Sequence, residues 1–277
     1  MNTHITYIPS TTEFLDRPDG RVAFDVAGSG PLVILVPGMG DLRATYRFTV
    51  NPLVAAGYRV ATTDLRGHGD SDPTFASYGD AETAGDVLAL VEHLGGPAVI
   101  VGNSMGAGAA AYAASERPDL VSGLVLVGPF VRNGQVNAVM RIMMRVAMAT
   151  PWIAASWKSY VPRLYAGRRP ADLDAHLDSL IASLRRPGYA KAFSLTTRVD
   201  HAPAEARLTS IQAPTLVVMG ELDPDFPDPK AEAEWIATTL DGEVVMVPEA
   251  AHYPQSQQPD VVSDALLNFL SRAVHRG

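Results

Sequence analysis

Ser104, Asp223 and His252 are the three side-chain types that together turn a hydroxyl into a nucleophile, and they occur in that chain order. A serine hydroxyl reacts poorly until a base takes its proton, and the base needs a carboxylate to fix its tautomer and stabilise its charged form. Ser104 lies in Gly102-Asn103-Ser104-Met105-Gly106, after apolar Val99 to Val101 and before Ala107-Gly108-Ala109-Ala110. A strand, a tight turn and a small-residue helix in that sequence would lift a serine clear of a sheet. The bland reading is a glycine-rich turn that reverses the chain or holds a phosphate at a helix N-terminus. Asp223 ends Gly220-Glu221-Leu222-Asp223, and His252 ends Glu249-Ala250-Ala251-His252. Asp225 and Asp228 share the first of these loops and stay open as the acid. His68, in "DLRGHGDSD", is the rival base, although it precedes the serine and its glycines and charges suit a structural turn. His4, His93, His176, His201 and His275 follow no expected strand directly and read as surface or packing residues.

Attack on a carbonyl also needs two backbone N–H groups for the developing oxyanion. Met105, directly after the serine, would supply one. Met39, between Gly38 and Gly40 in "PGMGDLR", would supply the other, because flanking glycines let a peptide turn its N–H inward. No H-E-x-x-H or H-x-x-E-H spacing occurs, so a catalytic metal is not expected, and the chemistry of a serine, a histidine and a carboxylate needs no cofactor. Asn103 receives no role from the sequence.

The elements that must carry these groups follow from the hydrophobic pattern. Residues 21–28, 31–38, 58–64, 97–102, 120–128, 213–220 and 242–248 read as strands, the first two as a hairpin about Gly28-Ser29-Gly30. Val87, Leu90, Val91 and Leu94 recur at helical spacing before Gly95, as do Trp235, Ile236 and Leu240, and Val262, Leu266, Phe269 and Leu270. Continuous apolar strands alternating with helices predict an α/β fold, a doubly wound and mostly parallel sheet covered on both faces. In such a sheet, functional groups collect beyond the carboxyl ends of the strands, where Ser104, Asp223 and His252 all fall. From residue 130 to 206 no strand is legible and the character is helical. The expected organisation is a core of residues 1–129 and 207–277, with 130–206 inserted as a helical cap.

"GNSMG", "DLRGHGDSD", "PTLVVMGELD" and "AAHYPQSQQPD" together resemble the landmarks of the α/β-hydrolase superfamily, from about residue 20 to the C-terminus apart from the insertion. The family usually has His-Gly where this chain has Pro37-Gly38. The resemblance implies a serine-nucleophile hydrolase. Haloalkane dehalogenases and epoxide hydrolases of the superfamily carry aspartate at the elbow, where Ser104 stands. "GNSMG" also occurs in relatives that cleave carbon–carbon bonds of ring-fission products, but those tend to have tryptophan where Tyr253 follows the histidine. Lactonases, perhydrolases and proline iminopeptidases share the triad. A receptor-like member that keeps the pocket and loses turnover is the opposing class.

Met140, Met143, Met144 and Met148, with Trp152 and Trp157 beyond them, predict an apolar cap surface that could roof an adaptable pocket. Phe130, Met140, Met144, Trp152 and Tyr253 are the expected pocket residues, and packing of the cap onto the core is the competing explanation for each. Arg132 and Arg141 could meet an acidic substrate group. The expected partner is a small apolar acyl or ester substrate.

Composition excludes other classes. The 277 residues are 47% apolar, carry a formal charge of −8 and contain no cysteine, which removes disulfides, thiolate metal sites and a cysteine nucleophile. No basic cluster suits nucleic acid, and no run of eighteen apolar residues suits a membrane span, so neither partner is expected. With "MNTHITYIPSTTEF" lacking a basic start and a long apolar stretch, the expected location is the cytoplasm.

Overall fold

The computed structural model describes residues 11–134 and 138–273, with the side chains of residues 138, 140 and 141 outside that description. In the first half, β1 (Glu13–Arg17), β2 (Gly20–Ala27) and β3 (Leu32–Val36) precede α1 (Val50–Ala55), β4 (Arg59–Thr63), α2 (Asp80–His93), β5 (Ala98–Asn103), α3 (Met105–Glu116) and β6 (Val121–Val127). Helices α4 (Ala138–Ala147), α5 (Ile153–Tyr160), α6 (Leu173–Leu184), α7 (Tyr189–Thr196) and α8 (Ala202–Glu205) then intervene. The chain returns through β7 (Thr215–Gly220), α9 (Pro229–Leu240), β8 (Glu243–Val247), α10 (Pro254–Gln257) and α11 (Pro259–Ala273).

The eight strands form one sheet in the order β1-β2-β4-β3-β5-β6-β7-β8. From β4 to β8 every pairing is parallel, while β1–β2 and β2–β4 are antiparallel. The expected hairpin between 21–28 and 31–38 is therefore corrected. The hairpin is β1–β2, and β3 lies beyond β4, so the glycine turn at 28–30 carries the chain across rather than back beside itself. β1 escaped the pattern because of its five residues only Leu15 is buried.

Alternation along the strands sorts the core into two layers. Leu32, Ile34 and Val36 of β3 join Ile100, Leu124, Leu126, Val217 and Met219 on the face covered by α2, α3 and α9. Val33 and Leu35 join Val99, Val101, Val125 and Val218 on the face covered by α1 and α11. Each fully buried aliphatic side chain contributes about 1.5–3 kcal/mol, so the two layers hold the strand ends, and the loops they launch, in fixed relation.

The segment between β6 and β7 contains no strand among the described residues and has its own apolar cluster, including Ile153, Trp157, Leu164, Leu180, Ile181 and Phe193. Polar contacts tie it to the sheet body. Arg47 grips Asp172 with Nε and Nη2, both at 2.7 Å. His176 Nε2 meets Asp41 Oδ1 at 2.8 Å, and His201 Nδ1 meets Asp80 Oδ2 at 2.8 Å. His176 and His201 are thus buried partners of carboxylates and not surface residues, whereas His93 stands exposed and His4 and His275 lie outside the described residues. Removing one member of a buried pair strands the other, at a cost of about 3–5 kcal/mol. His176→Ala is expected to lose stability in that range by urea denaturation. A loss below 1 kcal/mol would mean the pair does not fasten this segment.

Candidate active site

Ser104 occupies the turn between β5 and α3 at φ 55°, ψ −122°, a backbone region that non-glycine residues rarely adopt. Surrounding bonds enforce it: Ser104 N–H donates to Val127 O at 2.9 Å, and Ser104 O accepts from Ala107 N–H at 2.9 Å and Phe130 N–H at 3.2 Å. Close approach decides the second motif glycine. A Cβ on Gly106 would stand 2.5 Å from Pro37 O, so only hydrogen there lets α3 lie against the end of β3. Met105 opens α3, where the first N–H groups have no partner within the helix.

The loop after β3 lies against the serine, since a Cβ on Gly38 would be 2.7 Å from Ser104 Cβ. Met39 is partly buried there. Trp157 Nε1 donates to Gly40 O at 2.8 Å, which fixes this loop from α5. Burial alone would raise the carboxyl of the next residue, Asp41, but the facing His176 ring and the Leu42 N–H hold it below the usual range.

Beyond β7 and β8, Asp223 Oδ2 lies 2.8 Å from His252 Nδ1, and both side chains are almost fully buried. Asp225 Oδ2 is 3.7 Å from the same nitrogen, while its other oxygen accepts from Tyr160 Oη and its N–H donates to Asp223 Oδ1 at 3.0 Å. Asp228 caps α9, accepting from Ala231 N–H at 3.0 Å. Burial lowers the affinity of the His252 ring for a proton, but the charge and hydrogen bond of Asp223, then the charge of Asp225, prevail and raise its pKa to about 9. Asp223, Asp225 and His252 bring ligand atoms within 4.8 Å of one another, and they are the group of described residues that could hold a cation. Each already serves a hydrogen bond, so a cation would have to replace those bonds.

His68 takes the structural role its turn suggests. Its Nδ1 faces Arg66 O at 3.0 Å, its ring packs edge-on to Phe193, and burial holds its pKa down to about 4.

Asn103 is the part that the sequence left unassigned. Its Nδ2 donates to Val127 O at 3.0 Å and to His252 O at 3.2 Å, tying the residue before the serine to the backbone of the histidine. Phe130 packs edge-on to His252 at 5.8 Å and against Phe226 at 5.0 Å. Tyr253 is buried, stacked on Tyr165 at 4.8 Å and edge-on to His252. Met144 and Trp152 do not have the burial of a roof, at 52% and 48% exposed. Met140 belongs to α4, but its side chain lies outside the described residues. Arg132 is committed to Glu232, with Nε to Oε1 at 2.9 Å, and lies over Trp235; the Arg141 side chain is again outside the description. Among the described residues no hydrogen bond joins Ser104 Oγ to His252 Nε2.

The doubly wound sheet thus sets a strained serine beyond one parallel strand and a carboxylate–histidine pair beyond two others. The chain matches the sequence model of the Alpha/beta hydrolase family over residues 33–265, and it belongs to that family. An uncharacterized protein of Mycobacterium tuberculosis is 38% identical over 135 residues, which are 48% of this chain and 39% of that one, so the likeness spans well under half of the relative. A 2-(acetamidomethylene)succinate hydrolase of Mesorhizobium japonicum is 28% identical across 91% of this chain and 92% of its own. A thermophilic esterase from Thermogutta terrifontis superposes with a TM-score of 0.76 at 26% identity, covering 95% of this chain and 99% of the esterase.

Proposed function

We propose that the protein is a serine hydrolase that cleaves a carboxylic ester or similar small acyl substrate through an acyl-enzyme, with Ser104, His252 and Asp223 as its triad. The reading is carried by the 2.8 Å contact of Asp223 with His252 Nδ1, linked through Asn103 to the strained turn of Ser104. Asp223 keeps the proton of the neutral ring on Nδ1 and so leaves Nε2 free as the base. Ser104 Oγ attacks the carbonyl carbon as Nε2 takes its proton. The oxyanion is met by the N–H groups of Met39 and Met105. Collapse returns the proton from His252 to the leaving alkoxide, and a water deprotonated by the same nitrogen releases the acid. No cofactor enters these steps. Residues 130–206 act as the cap, and Phe130 with Phe226 beside His252 favours an apolar acyl or alkyl group.

The test is reaction with an active-site phosphonate, mapping of the modified residue, and turnover of a panel of p-nitrophenyl esters together with a ring-fission dienoate. Labelling at Ser104 with ester turnover supports the reading. Faster turnover of the dienoate assigns carbon–carbon cleavage instead, and labelling without turnover of either assigns a receptor-like member.

The pH dependence follows from the raised histidine. As base, His252 must be neutral, so kcat/KM is expected to climb from pH 7 and level off above about 9. The stability the pair adds runs the other way. It is whole below the ordinary pKa of 6.5 and is lost as pH rises through about 9. A rate profile already flat at pH 7 would show that the ring is neutral there.

A further inference from the structure

Helix α4 leaves its apolar side chains in water. Val139, Ile142, Met143 and Val146 are 57–67% exposed and recur at i, i+3, i+4 and i+7, which aligns them along one side of the helix. Just beyond the helix, Trp152 extends the patch at about half exposure, its Nε1 donating to Val146 O at 2.7 Å. None of the described α4 side chains belongs to the three apolar clusters of the fold. A contiguous exposed patch of this kind marks a surface that meets something apolar.

The charge around it says what. Residues 120–171 contain Arg132, Arg141, Arg145, Lys158, Arg163, Arg168 and Arg169 and no Asp or Glu, in a chain that places all 30 of its acids elsewhere and has a net charge of −8. Arg145, Lys158, Arg163 and Arg169 are exposed and have no ion pair among the described residues. A second copy of this chain would set these cations against themselves across a symmetric contact. A nucleic acid would leave the apolar stripe unused. An apolar stripe on a helix that also carries Arg145, within a stretch of chain that has cations and no acids and with Trp152 at its end, matches a helix lying in the headgroup region of a bilayer that carries anionic lipid.

We propose that α4 and the acid-free segment around it form a docking surface for an anionic phospholipid bilayer. A membrane partner is not expected from hydropathy, because no run of eighteen apolar residues occurs, and among the described residues no helix is long and apolar enough to cross a membrane. Lying on the surface needs a stripe and not a span. The contact is independent of the proposed triad, and it would bring the cap to substrates dissolved in the lipid.

The experiment is co-sedimentation of the full chain with vesicles of phosphatidylcholine alone and of phosphatidylcholine with phosphatidylglycerol, at low and high salt. Partitioning is expected to be at least 10-fold stronger onto the anionic vesicles and to fall with salt, with a blue shift of tryptophan emission on binding. Ile142→Asp with Met143→Asp should reduce it at least 10-fold, and Arg145→Glu should weaken it, with melting temperatures unchanged because these side chains are exposed. No partitioning, equal partitioning onto both vesicles, or full partitioning of the double variant overturns the proposal. So does a concentration-dependent dimer that the same double variant dissolves, since it would give the face to a second copy.

Discussion

Ser104→Ala is expected to lower kcat for ester substrates by about 10^5- to 10^6-fold while leaving the fold intact. Alanine retains the Cβ against which Gly38 packs and makes the same backbone bonds to Val127, Ala107 and Phe130. The strain at φ 55° is unchanged, because both residues carry a Cβ. Only Oγ is removed, and with it the atom that must form the acyl bond. The remaining rate is what binding and the N–H groups of Met39 and Met105 can achieve by stabilising direct attack of water, about 10^3- to 10^4-fold over the uncatalysed reaction. Circular dichroism and the melting temperature separate this from misfolding, since 1 kcal/mol moves Tm by only about 2–4 °C in a chain of this size class. A variant that keeps a tenth of the parent activity would remove Ser104 from the chemistry.

The parts of this site that could be read from the sequence are those whose signal is local. Seven apolar runs announced seven of the eight strands, and Ser104, Asp223 and His252 lie in the turns and loops that follow three of them. β1 was missed because an edge strand with one buried side chain has no pattern to show, and the partner of β2 was misassigned because pairing is a property of the sheet. His176 and His201 follow the same logic. Each faces a carboxylate more than 100 positions away, a contact that spacing cannot reveal. Asn103 looked idle because its partners are backbone carbonyls of β6 and of the histidine loop. The methionine-rich helix shows the opposite error. Apolar periodicity reports that a face avoids water in some state of the protein, and the sequence reading supplied a substrate pocket where the fold leaves the face open.

Two carboxylates compete for one imidazole, and the expected result is unequal. Asp223→Asn should lower kcat by about 10^4-fold, as loss of the triad acid does when the geometry is kept. An amide in its place can present its NH2 to Nδ1, which then accepts and puts the ring proton on Nε2, where the base must be bare. Asp225→Asn should cost less than about 10-fold, because its oxygen is 3.7 Å from Nδ1 against 2.8 Å for Asp223, and it also serves the Tyr160 hydroxyl. Burial, then the charge of Asp225, push that hydroxyl up, so it remains a donor across the working pH range. Removing the Asp225 charge should move the alkaline rise of kcat/KM downward from about 9, since that charge helps to hold the proton on His252. The two variants thus differ in kind: one disables the base by reversing its tautomer, the other leaves it working at lower pH. Kinetics across pH 6–10 on both variants distinguish them, and equal losses without a shift would mean that the carboxylates share the histidine.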